Sequence, residues 1–468
     1  MKIQEKKGEI TAFLSIVFVL LVSFISGILQ ISSIHVSKNM SRLETDRAIF
    51  SIFGEYQRNL LEDYHVFALE GSYGSGEYKE DNILRRMHYY GSPGTEHEIT
   101  GIQYLTDNNG QSFREQVLAY MEQRYGIGII QNLTGLTGEW SRQEIETEEM
   151  EKELKEEGSS VLDEFNEIRG DSEELEEDPF TCLEEIEKSG LLSVVLPGEM
   201  SLSGRAVSLE KQVSYRSRTT GRGSFPMRQN MDGIEEKLMF DEYVLKYFKN
   251  AAMDSSGAAK EDDNRNTSLE YEVEYILEGK SSDKENLEAV LLKIFLIRMA
   301  LNYAYLMTDT QKQGEAKALA LTISVILLNP ELSEAVSPLI LLAWAAGESV
   351  VDIRTLLAGR KAPLVKSKEN WQVSLFSLFT LGTGTEDLSG GDTEDGISYE
   401  DYLRGFLFLK NKDNVTMRTI DRVEENLSAV RGMDFFRADQ CITRLELKNT
   451  VEIYGNITYE FPAYFGYE

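Results

Sequence analysis

The longest uncharged apolar run lies near the start of the chain. The 25 residues from Ile10 to Ile34 contain no Asp, Glu, Lys or Arg. As a helix this segment would be about 37 Å long, and about 20 such residues cross a bilayer core. The pattern therefore predicts one transmembrane helix at 10–34. Two further uncharged stretches, Ala318–Pro330 and Ala335–Gly347, have 13 residues each, which is too short to span and predicts buried core helices.

A cleaved secretory signal and a retained anchor both begin with positive charges, as this chain does at Lys2, Lys6 and Lys7. The apolar run is longer than a signal sequence requires and lacks a clear small-residue cleavage site, which favours a retained anchor. Lys38, Arg42 and Arg47 on the other side of the apolar run equal these three charges in number. The positive-inside rule therefore does not decide the orientation of the helix. Because long domains cross largely regardless of charge, we expect tail 1–9 in the cytoplasm and the body outside the cell membrane.

Segment 35–63 has a helical pattern that continues the anchor. Its apolar residues recur at steps of three and four, at Met40, Leu43, Phe50, Phe53, Leu60 and Leu61. The pattern predicts one long stalk helix. Two interpretations stay open: the stalk packs against helices of partner proteins, or it docks on its own domain.

Segment 64–143 indicates mixed α and β structure. Tyr64–Leu69 is apolar and aromatic enough for a strand, followed by a glycine-rich loop. Turn residues at 92–101 and 107–112 surround the short apolar stretch Ile102–Leu105. Phe113–Tyr125 has a helical period.

Segment 144–187 is strongly acidic, with 20 Asp or Glu residues against three Lys or Arg. A solvated helical surface explains it better than calcium or partner binding, because no ligand spacing is discernible. Segment 214–228 is the local basic patch, with Arg216, Arg218, Arg222 and Arg228. It either pairs with the acidic segment 144–187 of the same chain or forms an exposed loop.

The remaining body, 188–468, predicts several helices and a few short strands. Residues 189–211 indicate short strands and turns, 234–251 an amphipathic helix, and 255–268 a polar linker. Tyr271–Leu277 alternates like a strand. Residues 286–357 contain the most apolar part, divided into helices 286–306, 316–328, 333–346 and 348–357, and they predict a helical core.

The C-terminal part has a clear helix start. Ser398 is a candidate N-cap with Asp401 three positions later, which opens a helix at Tyr399–Leu409. A second helix is predicted at 413–431, and a hairpin with its turn at Gly455–Asn456 at 442–461. Helices and strands that do not alternate regularly indicate the α+β class.

The composition excludes several kinds of function. A net charge of −31 disfavours nucleic-acid binding. Cys182 and Cys441 could form one bridge, and two separate buried thiols are the simpler expectation. The four histidines lack metal-site spacing, and the glycine-rich stretches lack the pattern of a nucleotide loop. We therefore expect no metal, no cofactor and no catalytic residue, so that an anchored hydrolase is the least favoured function.

The N-terminal residues carry a resemblance to a known family. Lys6–Leu14 (KKGEITAFL) resembles the start of pilin-like proteins of tight-adherence pili, within the type IV pilus superfamily. Together with residues 48–69, 342–366 and 397–409, it resembles a largely uncharacterised Gram-positive family of single-pass membrane proteins associated with such pili.

The resemblance implies a processing site and a partner. A prepilin-type peptidase would cut after Gly8 and leave Glu9 as the new N-terminus. Pilins usually carry Glu at the fifth mature position, where this chain has Phe13. The implied function is that of a pseudopilin or minor component of a pilus or secretion apparatus, with other apparatus proteins as partners. A tethered extracytoplasmic binding or sensing protein is the alternative, which the departure at Phe13 favours.

Overall fold

The structure is a computed structural model. It describes residues 2–91, 94–131, 133, 137–138, 140, 179–196, 200–226, 233–253, 267–326, 332–381, 388, 390–393, 395–453 and 457–467. The chain divides into two compact units. Unit 1 comprises Met1–Gln116, Ser217–Gln229 and Arg431–Glu468, and unit 2 comprises Val117–Arg216 and Asn230–Val430.

The α-helices of the described residues, in chain order, are α1 (Lys2–Phe53), α2 (Arg58–Tyr64), α3 (Glu80–Tyr90), α4 (Asp107–Tyr125), α5 (Gly128–Gln131), α6 (Thr181–Ser189), α7 (Leu191–Val195), α8 (Gly233–Tyr247), α9 (Glu272–Glu278), α10 (Asp283–Leu306), α11 (Thr310–Ile326), α12 (Leu332–Leu357), α13 (Tyr399–Leu409) and α14 (Lys412–Ser428). Short 3₁₀ turns occur at Leu209–Lys211, Ser377–Phe379 and Ala438–Gln440. The strands are β1 (Leu69–Glu70), β2 (Thr95–Tyr104), β3 (Cys441–Ile453) and β4 (Ile457–Gly466). The α+β class is confirmed.

Unit 1 is built on an antiparallel sheet around β3. Strand β2 pairs with one edge of β3 from Ile442 to Val451, and β4 and β1 pair with the other edge. Helices α1 and α3 pack against the sheet. The buried apolar cluster between them is formed by Ala48, Ile49, Ile52, Phe53, Leu69, Ile83, Met87, Ile99, Ile102, Tyr104, Ile442, Leu445, Leu447 and Ala463.

The predicted stalk is helical, but the helix is shorter than predicted. Helix α1 continues the apolar segment without a break, and it ends at Phe53 rather than at residue 63. The chain turns at Gly54 and Glu55, and the short helix α2 begins only at Arg58. The predicted hairpin at 442–461 is confirmed as β3 and β4, while its turn lies outside the described residues.

The strand predicted at Tyr64–Leu69 is wrong for most of its length. Tyr64 ends α2, His65 has a left-handed backbone (φ 59°), and the strand comprises only Leu69 and Glu70. The side-chain amide of Gln116 replaces a neighbouring strand, because it accepts from the backbone N–H of Phe67 at 2.7 Å and donates to its carbonyl oxygen at 3.0 Å. The backbone polar groups are thus satisfied without a ladder.

Strand β2 was missed by the sequence pattern. Its first half alternates buried and exposed residues, but two of the buried ones, Thr95 and His97, are polar. Because these buried positions are polar, alternation of apolar residues does not predict this strand.

The turn predicted at 107–112 is confirmed, since Asn108, Asn109 and Gly110 have positive φ angles that interrupt the start of α4.

Unit 2 is mainly helical, and the helical core predicted at 286–357 is confirmed by α10, α11 and α12. Helix α13 has the predicted bounds, and Ser398 and Asp401 form the expected capping box. The strands predicted within 189–211 are wrong, because α7 and a 3₁₀ turn occupy that stretch with one isolated bridge at Ala206. The linker predicted at 255–268 lies almost entirely outside the described residues.

The strand predicted at Tyr271–Leu277 is helix α9. The apparent alternation is not amphipathic, because every residue from Glu272 to Leu277 is buried. The Glu272 and Glu274 carboxylates accept hydrogen bonds from the backbone N–H groups of Lys249 and Ala251, at 3.0 and 2.9 Å. Because this segment has no exposed face, the alternation of its residue types does not distinguish a strand from a helix.

Three helices of the described residues are long and apolar enough to cross a membrane, namely Glu9–Phe53, Asp283–Leu306 and Val336–Leu357. The stretch Ala335–Gly347 is part of the longer helix α12, which runs through Gly347 and Glu348 without a break, so two candidate spans exist besides the N-terminal one. The three differ in packing, since the buried share of the apolar window is 0%, 50% and 89% in that order. The second and third contribute to the core of unit 2.

Candidate membrane anchor and helix-packing surface

The sequence-predicted processing residues lie at the start of α1. Gly8, Glu9 and Phe13 are all within the helix, and the Phe13 side chain is 67% exposed. The Gly8–Glu9 bond is therefore part of a helical turn. A peptidase that acts on extended backbone would have to unwind this end of the helix, where opening costs least.

The segment 10–34 exposes apolar side chains around the whole helix. Exposed fractions of 46 to 67% are found for Ile10, Phe13, Leu14, Ile16, Phe18, Val19, Leu20, Leu21, Val22, Phe24, Ile25, Ile28, Leu29 and Ile31. A helix that is apolar on every side requires an apolar environment, either protein or lipid. A long apolar N-terminal helix of this kind suggests membrane anchoring.

Beyond residue 40, one face of α1 docks on its own unit. Ser41, Thr45, Ala48, Ile52 and Phe53 are buried and recur at helical spacing. The apolar members belong to the core cluster over the sheet. Of the two interpretations of the stalk, docking on its own domain is thus confirmed for this face.

The opposite face of α1 exposes apolar side chains between residues 36 and 50. We call Val36, Met40, Leu43 and Phe50 the outer stripe; their exposed fractions are 58, 50, 64 and 67%. They follow one another at steps of four, three and seven positions, which places them along one side of a helix. Arg47, which falls within the same spacing, instead donates to the carbonyl oxygen of Tyr90 at 3.1 Å.

Aromatic residues of β4 hold α1 at two levels. Near the apolar segment 10–34, the Lys38 ammonium lies 4.7 Å from the ring centroid of Tyr459, and the Arg42 guanidinium lies 5.5 Å from the same ring. Farther along, the Phe465 ring lies 5.8 Å from Phe50 and 4.6 Å from Phe53. Cation–π and aromatic contacts of these kinds each contribute about 0.5–1.5 kcal/mol.

This role of β4 is not evident from the sequence alone. The pattern predicted the hairpin, but nothing local indicates that Tyr459 and Phe465 contact a helix that ends at Phe53, about 400 residues earlier. The alternation of aromatic residues at 459, 461, 465 and 467 is the one signal that could have indicated a second packed surface.

The histidines do not form a metal site. His97 is buried, donates from Nδ1 to Oδ1 of Asn449 at 2.6 Å, and lies 5.2 Å from His88 between ring centroids. Burial lowers the pKa of His97 below its usual value. Within the described residues, no group of three or more His, Cys, Asp or Glu side chains could hold a metal ion.

The basic patch pairs within the chain. Arg216 donates to Glu424 and Arg222 to Glu80, each with one contact of 2.8 Å. These partners lie outside the acidic segment 144–187, most of which is outside the described residues.

Cys182 and Cys441 are buried and not bridged, and burial raises the pKa of the Cys182 thiol to about 12. A thiol of that kind is a poor nucleophile at neutral pH.

Buried charges in unit 2 are arranged to neutralise one another. Asp352 accepts from Arg298 at 2.6 Å and from Lys366 at 2.7 Å, and Lys366 also contacts Glu348. All four side chains are at most 4% exposed. Two cations and two carboxylates without access to solvent are typical of a structural network.

Comparison with known proteins identifies a family. No curated protein and no solved structure matches the chain significantly. Residues 169–453 match the sequence profile of DUF5702, which is described as a family of unknown function. This match covers more than half of the chain, and it includes α6 to α14 and strand β3. The chain therefore belongs to the DUF5702 family.

Proposed function

We propose that the chain is a membrane-anchored extracytoplasmic structural protein, similar to a pseudopilin or minor component of a tight-adherence pilus or related secretion apparatus. In this proposal residues 10–34 span the membrane once, with tail 1–9 in the cytoplasm. The observation that carries the proposal is the division of α1 into two faces, one docked on the sheet of unit 1 and one apolar and exposed.

The outer stripe is suited to packing against another helix. It begins at Val36, next to the proposed membrane segment, and reaches Phe50, about 21 Å farther along the helix. In all copies anchored in one membrane, the outer stripe lies at the same distance from the bilayer. The stripes of neighbouring copies are therefore already aligned along the helix axis for packing. A tether alone does not require apolar side chains on the solvent side of a docked helix.

The N-terminal residues support the same pathway with one departure. KKGEITAFL resembles the processing region of pilin-like proteins, with Gly8 before the cut and Glu9 after it. Phe13 occupies the position of the usual glutamate, so this chain lacks the carboxylate that meets a neighbouring terminal amine. The alternative is a tethered binding or sensing protein, which the same departure favours.

The mature N-terminus tests the pathway. The native membrane protein is purified, and its terminal peptide and intact mass are measured by mass spectrometry. A start at Glu9 supports processing by a prepilin-type peptidase, and a Gly8→Val variant should then retain the full tail. A start at Met1 indicates a permanent tether and puts the binding-protein alternative first.

Self-association tests assembly separately from processing. The full chain in detergent is compared with Leu43→Glu and with Leu292→Glu, a control in α10 whose leucine is 46% exposed. We expect concentration-dependent oligomers that Leu43→Glu abolishes and Leu292→Glu retains. A monomer at all concentrations, or equal behaviour of both variants, would contradict packing through the outer stripe.

A further inference from the structure

Strand β4 runs in the same direction as α1, away from the proposed membrane segment. Its early residue Tyr459 contacts Lys38 and Arg42, and its late residue Phe465 contacts Phe50 and Phe53. Rising residue numbers in the strand thus accompany rising residue numbers in the helix. The beginning of β4 is the end nearer to the membrane segment.

The level of that end follows from helix and strand geometry. Lys38 lies four residues beyond Ile34, which is about 6 Å along the helix. Helical side chains lean toward the N-terminus, so the Lys38 ammonium is lower still. Ile457 precedes Tyr459 by two residues, about 7 Å along the strand. The first residue of β4 is therefore level with the end of the uncharged segment 10–34.

The side chains at this level suit a lipid headgroup layer. Ile457 is 39% exposed at the beginning of β4. Tyr459 has an amphipathic ring of the kind that is enriched where membrane and water meet. Among the described residues, Lys38 and Arg42 contact aromatic rings and have no ion-pair partner, so their charges can interact with lipid phosphates. Acidic groups nearby are Glu460, paired with Lys448 at 3.0 Å, and the exposed Glu452, which keep this end out of the hydrocarbon.

We propose that the beginning of β4, at Ile457 and Tyr459, rests in the phospholipid headgroup layer of the membrane that holds α1. Unit 1 then has two membrane contacts, the anchor and the beginning of β4, which together fix its tilt and direct the outer stripe sideways. This assignment also gives a function to the basic residues on the outer side of the anchor. It rests on the anchoring in the proposed function.

Spin labels test the two levels independently. The full chain is reconstituted into vesicles of phosphatidylcholine and phosphatidylglycerol with a nitroxide on Val19→Cys, Ile457→Cys or Tyr464→Cys. Wild type treated with the same nitroxide reagent reports any reaction of the two buried native cysteines. Collision with oxygen, which concentrates in lipid, is compared with collision with a water-soluble nickel complex. Tyr464 lies seven residues beyond Ile457, about 24 Å along the strand, and is 45% exposed.

We expect a hydrocarbon signature at position 19, an intermediate headgroup signature at 457 and a water signature at 464. If the labels at 457 and 464 collide equally with the nickel complex while the label at 19 has a hydrocarbon signature, the headgroup contact is overturned. The anchor is then still supported. Low accessibility to both reagents at 457 would assign that end to a protein partner instead. Water at position 19 would overturn the anchoring itself.

Discussion

The hydroxyl group of Tyr399 donates a 2.8 Å hydrogen bond to Oε1 of Glu274, and the backbone N–H of Ala251 donates to the same oxygen at 2.9 Å. Both side chains are at most 1% exposed, and Oε2 of Glu274 has no hydrogen-bond partner. Burial raises the pKa of Glu274 to about 7, against the lowering effect of these two donors. A carboxyl group with a raised pKa makes the folded state bind more protons than the unfolded state.

We predict from this shift that the free energy of unfolding falls as pH rises from about 4.5 to about 7, the usual and the folded pKa of Glu274. The contribution of this one group is about 3 kcal/mol. Glu274→Gln should remove it, so that the variant gains relative to wild type on going from pH 5 to pH 8. Urea denaturation in detergent at the two pH values measures the difference, and a constant difference would contradict the shift.

Tyr399→Phe provides a matched test of the same carboxyl group. Loss of the hydroxyl donor should raise the pKa of Glu274 further, because that hydrogen bond stabilises the ionised form. We expect a destabilisation of about 1–2 kcal/mol at pH 8 and a smaller one at pH 5. A loss of equal size at both pH values would indicate a packing effect only.

The buried charge network of unit 2 predicts an asymmetric response to mutation. Asp352→Asn leaves Arg298 and Lys366 without their shared carboxylate, in a site where Arg298 is 0% exposed. We expect a destabilisation of about 3–5 kcal/mol, because an uncompensated charge remains buried. Glu62→Gln, which removes the exposed pair with Arg58, should cost less than about 1 kcal/mol. Similar losses in denaturant titrations of both variants would refute this interpretation.

Another prediction for unit 2 concerns an ammonium group between two indole rings. The Lys312 Nζ atom lies 4.3 Å from the ring centroid of Trp344 and 4.7 Å from that of Trp371. We expect Lys312→Gln to destabilise the protein by about 1–2 kcal/mol and to change tryptophan emission. Lys312→Arg should preserve most of the stability, and Lys317→Gln, at an exposed position of the same helix, should change neither quantity.

Local signals explain which elements the sequence predicted well. Helix α13 was predicted with its observed bounds, because the Ser398–Asp401 capping box is made by residues three positions apart. The β3–β4 hairpin was predicted for a similar reason, since its two strands adjoin in sequence. In contrast, α9 was predicted as a strand, because a segment buried on all sides shows no period that separates a helix from a strand.

The candidate site was predicted only in part, for a reason of sequence distance. The apolar length of 10–34 and the helical spacing of Met40, Leu43 and Phe50 are visible in the chain itself. Which face of α1 docks depends on Tyr459 and Phe465, whose place beside the helix is set by the sheet. No pattern within 35–63 contains that information.

Phe50 and Phe53, three positions apart on α1, give the sharpest test of its two faces. Both contact Phe465, yet Phe53 is 1% exposed and Phe50 is 67% exposed. We expect Phe53→Ala to destabilise unit 1 by about 3–5 kcal/mol, because it leaves a cavity in the core. Phe50→Ala should cost about 1 kcal/mol or less in stability and weaken self-association instead. Denaturation and sedimentation of both variants separate the effects, and a Phe50→Ala protein that unfolds early but assembles normally would reverse the assignment of faces.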